Sequence, residues 1–340
     1  MSQPKVATAI LNWNGRHWLE KFLPSVMATN YGNHQVVVID NGSTDDTIEF
    51  LEQQYPQVEI VINSKNHGFA GGYNEGLKNV EADYYAILNS DVEVDPNWLN
   101  PLVDLLENNE KIAACQPKLL GYNQKTHFEY AGACGGFIDW YGFPFCRGRI
   151  FESNEEDLGQ YDTARPVFWA TGAALFIKAN LFHKQKGFDA DFFAHMEEID
   201  LCWRLQNAGY EIWAEPKSVC YHVGGGTLGK ENPRKTYLNF RNNLYMMSKN
   251  LPLGNALIRI FLRMIIDGQA AIKELLSGNT GFFKAILRAH FHFYLHLPKT
   301  FAKRKSIPVK RKFTSLPGVY NRSIVLWYYA RRKRKFSDLP

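Results

Sequence analysis

Four short apolar runs, Val6–Leu11, Val36–Asp40, Val58–Ile62 and Tyr84–Leu88, alternate with helical stretches over roughly the first 110 residues. A run that is too short for a helix and apolar at nearly every position reads as a strand buried on both faces. Between the runs, residues 16–28 place Leu19, Phe22, Leu23 and Val26 on one helical face. Further helices are expected up to about Gln54, with Ser43 or Thr44 as cap, up to about Val80, and over 98–108. Such alternation selects an α/β fold with a parallel sheet and right-handed crossovers.

Open sheets of this kind take ligands just past the carboxyl ends of their strands. Asn12 and Asn14 follow the first strand, Asp40 ends the second, and Asn89, Ser90, Asp91, Glu93 and Asp95 follow the fourth. Acidic residues there suit a hard cation that keeps positions free for phosphate oxygens. The same residue types also form plain turns, and Asp40 is equally suited to capping the next helix. Gly68, Ala70, Gly71 and Gly72 open a helix where backbone N–H groups can approach a nucleotide. They do not form the GxGxxG fingerprint of dinucleotide binding.

Beyond residue 119 the pattern changes. Residues 121–165 read as loops and hairpins laid over the sheet edge, and Val167–Ile177 as a strand running through Trp169, Thr171 and Gly172. Glu197, Glu198 and Asp200 stand in the first turn of a helix, where the dipole favours acids. Arg204 is expected to pair with one of the nearby acids. Short strands at 211–214 and 219–222 end at His222, ahead of Gly224-Gly225-Gly226-Thr227.

The net charge of +5 conceals a division. Residues 1–229 carry 16 Lys/Arg against 30 Asp/Glu, a net of −14, whereas residues 230–340 carry 23 against 4, a net of +19. A basic tail of this kind points to a polyanion. In Phe282–Leu297, Lys284, Arg288, His292 and His296 recur every four residues, and Arg259 and Arg263 repeat the spacing. These read as basic amphipathic helices suited to a membrane interface. Basic clusters at 303–305, 310–312 and 331–335 fit an anionic headgroup layer, and no nucleic-acid-binding motif is present. Five cysteines without a CxxC pair imply reduced thiols. The first residues lack a signal-peptide pattern, and no stretch of about 20 residues is free of charge.

The ordered motifs AILNWNG, VVVIDNGSTDDT, NHGFAGGYNEG, YAILNSDVEVDP, TGAALFIK, GFDADFFAHMEEIDLCWRL and HVGGGT span residues 9–227. In this order they resemble the family 2 glycosyltransferases of GT-A fold, and more narrowly the bacterial rhamnosyltransferase-like enzymes of cell-surface polysaccharide synthesis. The resemblance implies a Rossmann-like, mostly parallel sheet with helices on both faces, a catalytic domain over 1–229 and a C-terminal helical region over 230–340. It implies an inverting transfer of a sugar, such as rhamnose, from a nucleoside-diphosphate sugar to a saccharide or lipid-linked acceptor. Asn12, Asn14, Asp40, Gly68, Phe69, Ala70, Asn89 and Asp91 would then meet the donor. Asp91 corresponds to the last acid of the family's DxD motif, read here as Asn89-Ser90-Asp91. With Glu93 and His222 it would hold Mn²⁺ or Mg²⁺. Glu198, second in the Glu197-Glu198 pair, corresponds to the catalytic base, with Glu197 or Asp200 as substitutes. Trp169, Thr171 and Gly172 would underlie the acceptor, and Lys235 and Arg241 would reach phosphates. The implied location is cytoplasmic, peripheral on an anionic inner membrane face. A sugar-nucleotide pyrophosphorylase is the rival enzyme, but Asn12-Trp13-Asn14-Gly15 lacks the basic, glycine-rich loop it needs. A non-catalytic glycan-binding protein of the same fold is the other rival.

Overall fold

The computed structural model describes residues 3–224, 232–305, 307 and 311–340. Strand β1 (Val6–Asn12) leads into α1 (Arg16–Met27), followed by β2 (His34–Asp40), α2 (Thr47–Gln54), β3 (Glu59–Ile62) and α3 (Gly68–Gly76). Then come β4 (Tyr84–Asn89), β5 (Val92–Val94), α4 (Leu99–Glu107) and β6 (Ile112–Gly121). Strands β3-β2-β1-β4 form the expected parallel half-sheet. Alternate residues of β1 enter different cores: Val6 and Ile10 pack beneath α1 and α4, Ala7 and Ala9 on the opposite face with α3. Burial on both sides is why the strand is apolar throughout.

Residues 121–165 form the expected hairpins: β7 (Gly136–Asp139), β8 (Pro144–Cys146), β9 (Arg149–Ile150) and β10 (Ser153–Asn154) make a small sheet. The stretch expected as one strand over Val167–Ile177 divides into β11 (Arg165–Val167) at the main sheet's edge and β12 (Ala174–Lys178). Strand β12 runs antiparallel between β4 and β6, so the main sheet is mixed rather than parallel throughout. After α5 (Ala179–Lys184) and α6 (Glu197–Asn207), the two short strands expected at 211–222 are one long strand, β13 (Glu211–His222), with a register shift between Glu215 and Val219.

The C-terminal region is helical, as expected: α7 (Pro233–Asn250), α8 (Leu253–Leu276), α9 (Thr280–Leu295) and α10 (Leu297–Lys305). It also returns to the N-terminal half. Strand β14 (Val319–Tyr320) pairs parallel with β7, and Ile324 N–H donates to the buried Asp139. Phe313 packs on Phe168 and Trp203. The boundary expected at 229/230, the glycines and threonine at 225–227, and Lys310 lie outside the described residues. Among the described residues no helix is long and apolar enough to cross a membrane. All five cysteines are buried and unpaired.

Two expectations about local structure need correction. Neither Ser43 nor Thr44 caps α2. The Ser43 hydroxyl instead accepts from Asn12 Nδ2 (3.4 Å) and from the Asn14 N–H (2.9 Å), while the Thr44 N–H donates to Asn14 Oδ1 (2.7 Å). Arg259 and Arg263 do not line an outer basic face. Both are 4% exposed, with Arg263 paired to Asp267 (2.7 Å) and Arg259 over the Trp140 ring (4.0 Å).

Candidate active site

Pairing of β5 with β13 sets His222 opposite Val92 and brings it beside Asp91 in the turn after β4. His222 Nε2 lies 3.1 Å from Asp91 Oδ1, and its Nδ1 lies 3.1 Å from Glu129 Oε2. The Glu129 approach is off the N–H axis, so it is an ion-pair contact rather than an aligned hydrogen bond. All three side chains are buried. Burial alone would lower the His222 pKa, but Glu129 and Asp91 together raise it to about 10. Glu93, expected as a third metal ligand, is instead ion-paired to Lys125. Among the described residues no cluster of three or more potential ligands has metal-site geometry. Asp91 and His222 still fit a hard or borderline cation that takes few protein donors and completes its shell with phosphate oxygens. The contact of Glu129 with the other ring nitrogen is the carboxylate–histidine backing common at such sites.

At the ends of β1 and β2, Asp40 is 2% exposed and stands in register with Asn12. One carboxylate oxygen accepts the Ser43 N–H (3.0 Å); the other, Oδ1, is buried without a hydrogen-bond partner among the described residues. Asn12 Oδ1 is in the same condition. Buried oxygens rarely go unsatisfied, so these two can accept from a ligand or from solvent. Asn14, by contrast, is spent on bridging the loops after β1 and β2.

The opening of α3 departs from expectation. The Gly68 N–H donates to Asn66 Oδ1 (2.8 Å) and the Ala70 N–H to the Phe193 carbonyl (3.2 Å), so neither is free for phosphate. Gly68 has φ +73°, and a Cβ there would come within 2.6 Å of Phe193. Close packing against that loop is what requires glycine.

Phe193 belongs to the segment leading into α6. Phe193, His195 and Met196 all have left-handed φ (66°, 71° and 72°), a conformation sustained only where the surroundings impose it. Asn242 of α7 imposes it, donating to the carbonyls of Phe192 (3.0 Å), Ala194 (2.9 Å) and His195 (2.7 Å). Arg241, expected at the phosphates, donates to the Asp191 and Phe192 carbonyls instead. Lys235 lies over the Tyr130 ring (5.4 Å).

This clamp aims the first turn of α6. Glu198 Oε2 is buried without a hydrogen-bond partner among the described residues, and burial raises its pKa to about 7. Glu197 is more deeply buried, and burial and then the charge of Glu198 push it up further. Asp200 is fully buried and saturated by Arg204 (2.9 Å), Lys249 (3.0 Å) and Asn250 (2.8 Å). It ties α6 to α7 and has no oxygen free to take a substrate proton.

Gly172 connects the two halves of the site. A Cβ there would lie 3.3 Å from Phe69 and 3.7 Å from Glu198 Cβ. The Asn89 N–H bonds to the next carbonyl, that of Ala173, at 3.0 Å. Glu198 thus packs against Gly172, next to this bond, while Asp91 lies two residues beyond Asn89 on the other side of it. Trp169 and Thr171 are core residues here: Trp169 donates to Phe137 O (2.9 Å) and Thr171 to Ala131 O (2.6 Å). Glu129 was not expected at the site. Its only sequence signal is an acid within an aromatic stretch just after a strand.

Comparison with known proteins finds glycosyltransferases. Residues 8–164 match the model of glycosyl transferase family 2. The chain is 25% identical over 224 residues to N-acetylglucosaminyl-diphospho-decaprenol L-rhamnosyltransferase of Mycobacterium tuberculosis (strain CDC 1551 / Oshkosh), covering 62% of this chain and 73% of that one. It is also 25% identical over 228 residues to poly-beta-1,6-N-acetyl-D-glucosamine synthase of Staphylococcus epidermidis, covering 64% of this chain but only 49% of the synthase. Among solved structures, GalNAc-T7 with UDP, GalNAc and Mn²⁺ superposes with a TM-score of 0.59 at 13% identity, over 91% of this chain and 59% of that one. The mannosyltransferase PcManGT from Pyrobaculum calidifontis, in complex with GDP-Man and Mn²⁺, gives 0.53 at 15% identity, over 86% and 88%. At such identities these two likenesses show the GT-A glycosyltransferase fold.

Proposed function

We propose that this chain, whose residues 8–164 match the glycosyl transferase family 2 model, is a glycosyltransferase of polysaccharide synthesis that carries out an inverting transfer of rhamnose from a nucleoside-diphosphate sugar to a lipid-linked saccharide. The sugar and acceptor follow the mycobacterial relative's name. The observation carrying the proposal is Glu198, a carboxylate of raised pKa with an oxygen that no described residue bonds, packed against Gly172, whose neighbour Ala173 accepts the Asn89 N–H two residues before Asp91.

The unpartnered Asp40 Oδ1 accepts a hydrogen bond from the donor's base or ribose. Asp91 and His222 are the residues that would hold Mn²⁺ or Mg²⁺, with Glu129 orienting the imidazole. Such a cation, when bound, offsets the negative charge that develops on the departing diphosphate. Glu198 accepts the proton of the acceptor hydroxyl as its oxygen attacks the anomeric carbon from the face opposite the diphosphate. Gly172 lets Phe69 and Glu198 pack closely here, where a Cβ would press on the Phe69 ring. We also place the protein on the cytoplasmic side of an anionic membrane, where the basic C-terminal region would bring it to a lipid-linked acceptor.

Glu198→Gln and Asp91→Asn variants assayed with donor and lipid-linked acceptor test the proposal. Both should lose transfer, Asp91→Asn together with donor hydrolysis. Wild-type turnover by both would end it.

A further inference from the structure

Helix α8 is amphipathic in the inverted sense. Three of its five charged residues, Arg259, Arg263 and Asp267, are buried, while Leu257, Phe261, Ile265, Ile272 and Leu276 recur along its exposed side. Phe261 is 66% exposed and Leu276 83%. Helix α9 continues the surface: Leu287, Phe291 (61% exposed) and Leu295 face outward, and Tyr294 donates to the sulfur of Met264 where the two helices meet. Scattered exposed leucines are ordinary, but a contiguous face of large apolar side chains on two adjoining helices marks a docking surface.

The surrounding charge identifies the occupant. Between Leu253 and Lys305 the only acids are Asp267, which is buried, and Glu274. Lys284 and Arg288 are exposed on α9, and Lys273 lies over the Tyr329 ring (5.5 Å), which brings the exposed basic run Arg331–Lys335 to the end of α8. A second copy of this chain would set one strongly basic surface against another. An anionic lipid surface instead satisfies both the apolar face and its basic rim. The buried charges of α8 rule against a spanning helix, and none is found among the described residues.

We propose that α8 and α9 lie in the interface of an anionic bilayer, with Phe261, Ile265, Leu287 and Phe291 inserted among the acyl chains and Lys284 and Arg288 at the headgroups. The proposal rests on the membrane placement given above, but not on the identity of the sugar or base. It replaces a purely electrostatic attachment with an apolar one that the basic rim makes selective.

Flotation of the whole chain with vesicles tests it, using phosphatidylcholine alone and phosphatidylcholine mixed with phosphatidylglycerol, at low and raised salt. Wild type should float with the mixed vesicles and keep part of that binding at raised salt. Phe261→Gln with Phe291→Gln should cut the partition constant tenfold or more, because each ring buried in lipid contributes about that factor. Both residues are exposed, so the thermal midpoint should hold. Lys284→Gln with Arg288→Gln should abolish the preference for anionic lipid. A Phe261/Phe291 variant that floats like wild type would overturn the proposal, as would a wild-type dimer that the same variant splits. Glu198→Gln should float normally while failing to transfer sugar, so loss of the catalytic reading and loss of this one are separable.

Discussion

At neutral pH Glu198 is poised between its two forms, because burial has raised its pKa to about 7. Only the ionised form can accept a proton, so activity should grow as pH rises through that value. The expected kcat/KM profile climbs through pH of about 7 and levels off above it, whereas a limb in the ordinary carboxylate range would assign the base elsewhere. Glu198→Gln should lower kcat by about 10² to 10⁴-fold. Glu129→Gln should weaken Mn²⁺ binding, measured by calorimetry, by about 10 to 100-fold, with a much smaller change in the thermal midpoint. The positions of Asp40, Asp91, Glu198 and His222 at strand ends and a helix start were legible in the sequence, because each follows an apolar run or opens a helix. Glu129 was not, since it reaches His222 only through the alignment of β6 with β13. Glu93 was misleading: next to Asp91 in sequence, it is engaged by Lys125.

Among the elements, the left-handed segment before α6 depends on α7. Removing the Asn242 amide leaves the Ala194 and His195 carbonyls short of a donor, the Phe192 carbonyl keeping Arg241, at about 1–3 kcal/mol for a buried unsatisfied group. Asn242→Ala should therefore lower the thermal midpoint and slow sugar transfer more than donor hydrolysis, because it is the base that loses its aim. A uniform loss of both activities would reduce Asn242 to a scaffold role. The first four strands could be read from the sequence because double-sided burial leaves a continuous apolar run. The insertion of β12 between β4 and β6 could not, since its five residues look the same in either direction. Arg259 and Arg263 were misplaced because charged side chains are assigned to solvent by default. Asp267, four residues beyond Arg263, was the available signal for a paired and therefore buriable charge.

Over the whole molecule, the acidic and basic halves of the sequence are not independent bodies. Lys249 and Lys303 from the C-terminal helices reach Asp189, just upstream of the left-handed segment, and hold its carboxyl well below its usual range. Phe313 and β14 cover Phe168, Trp203 and β7. Residues 1–229 expressed alone should be insoluble or molten, and the whole chain should unfold in a single calorimetric transition; two separated transitions would show independent domains.

The bond from Ile324 to Asp139 joins positions 185 residues apart. Synthesis is sequential, so the small sheet must wait with β7 unpaired on one side while the whole helical region is made. A polypeptide released before that point keeps an open strand edge, the feature that invites aggregation and degradation. A chain cut short of Val319 should therefore be digested faster than the whole one under limited proteolysis.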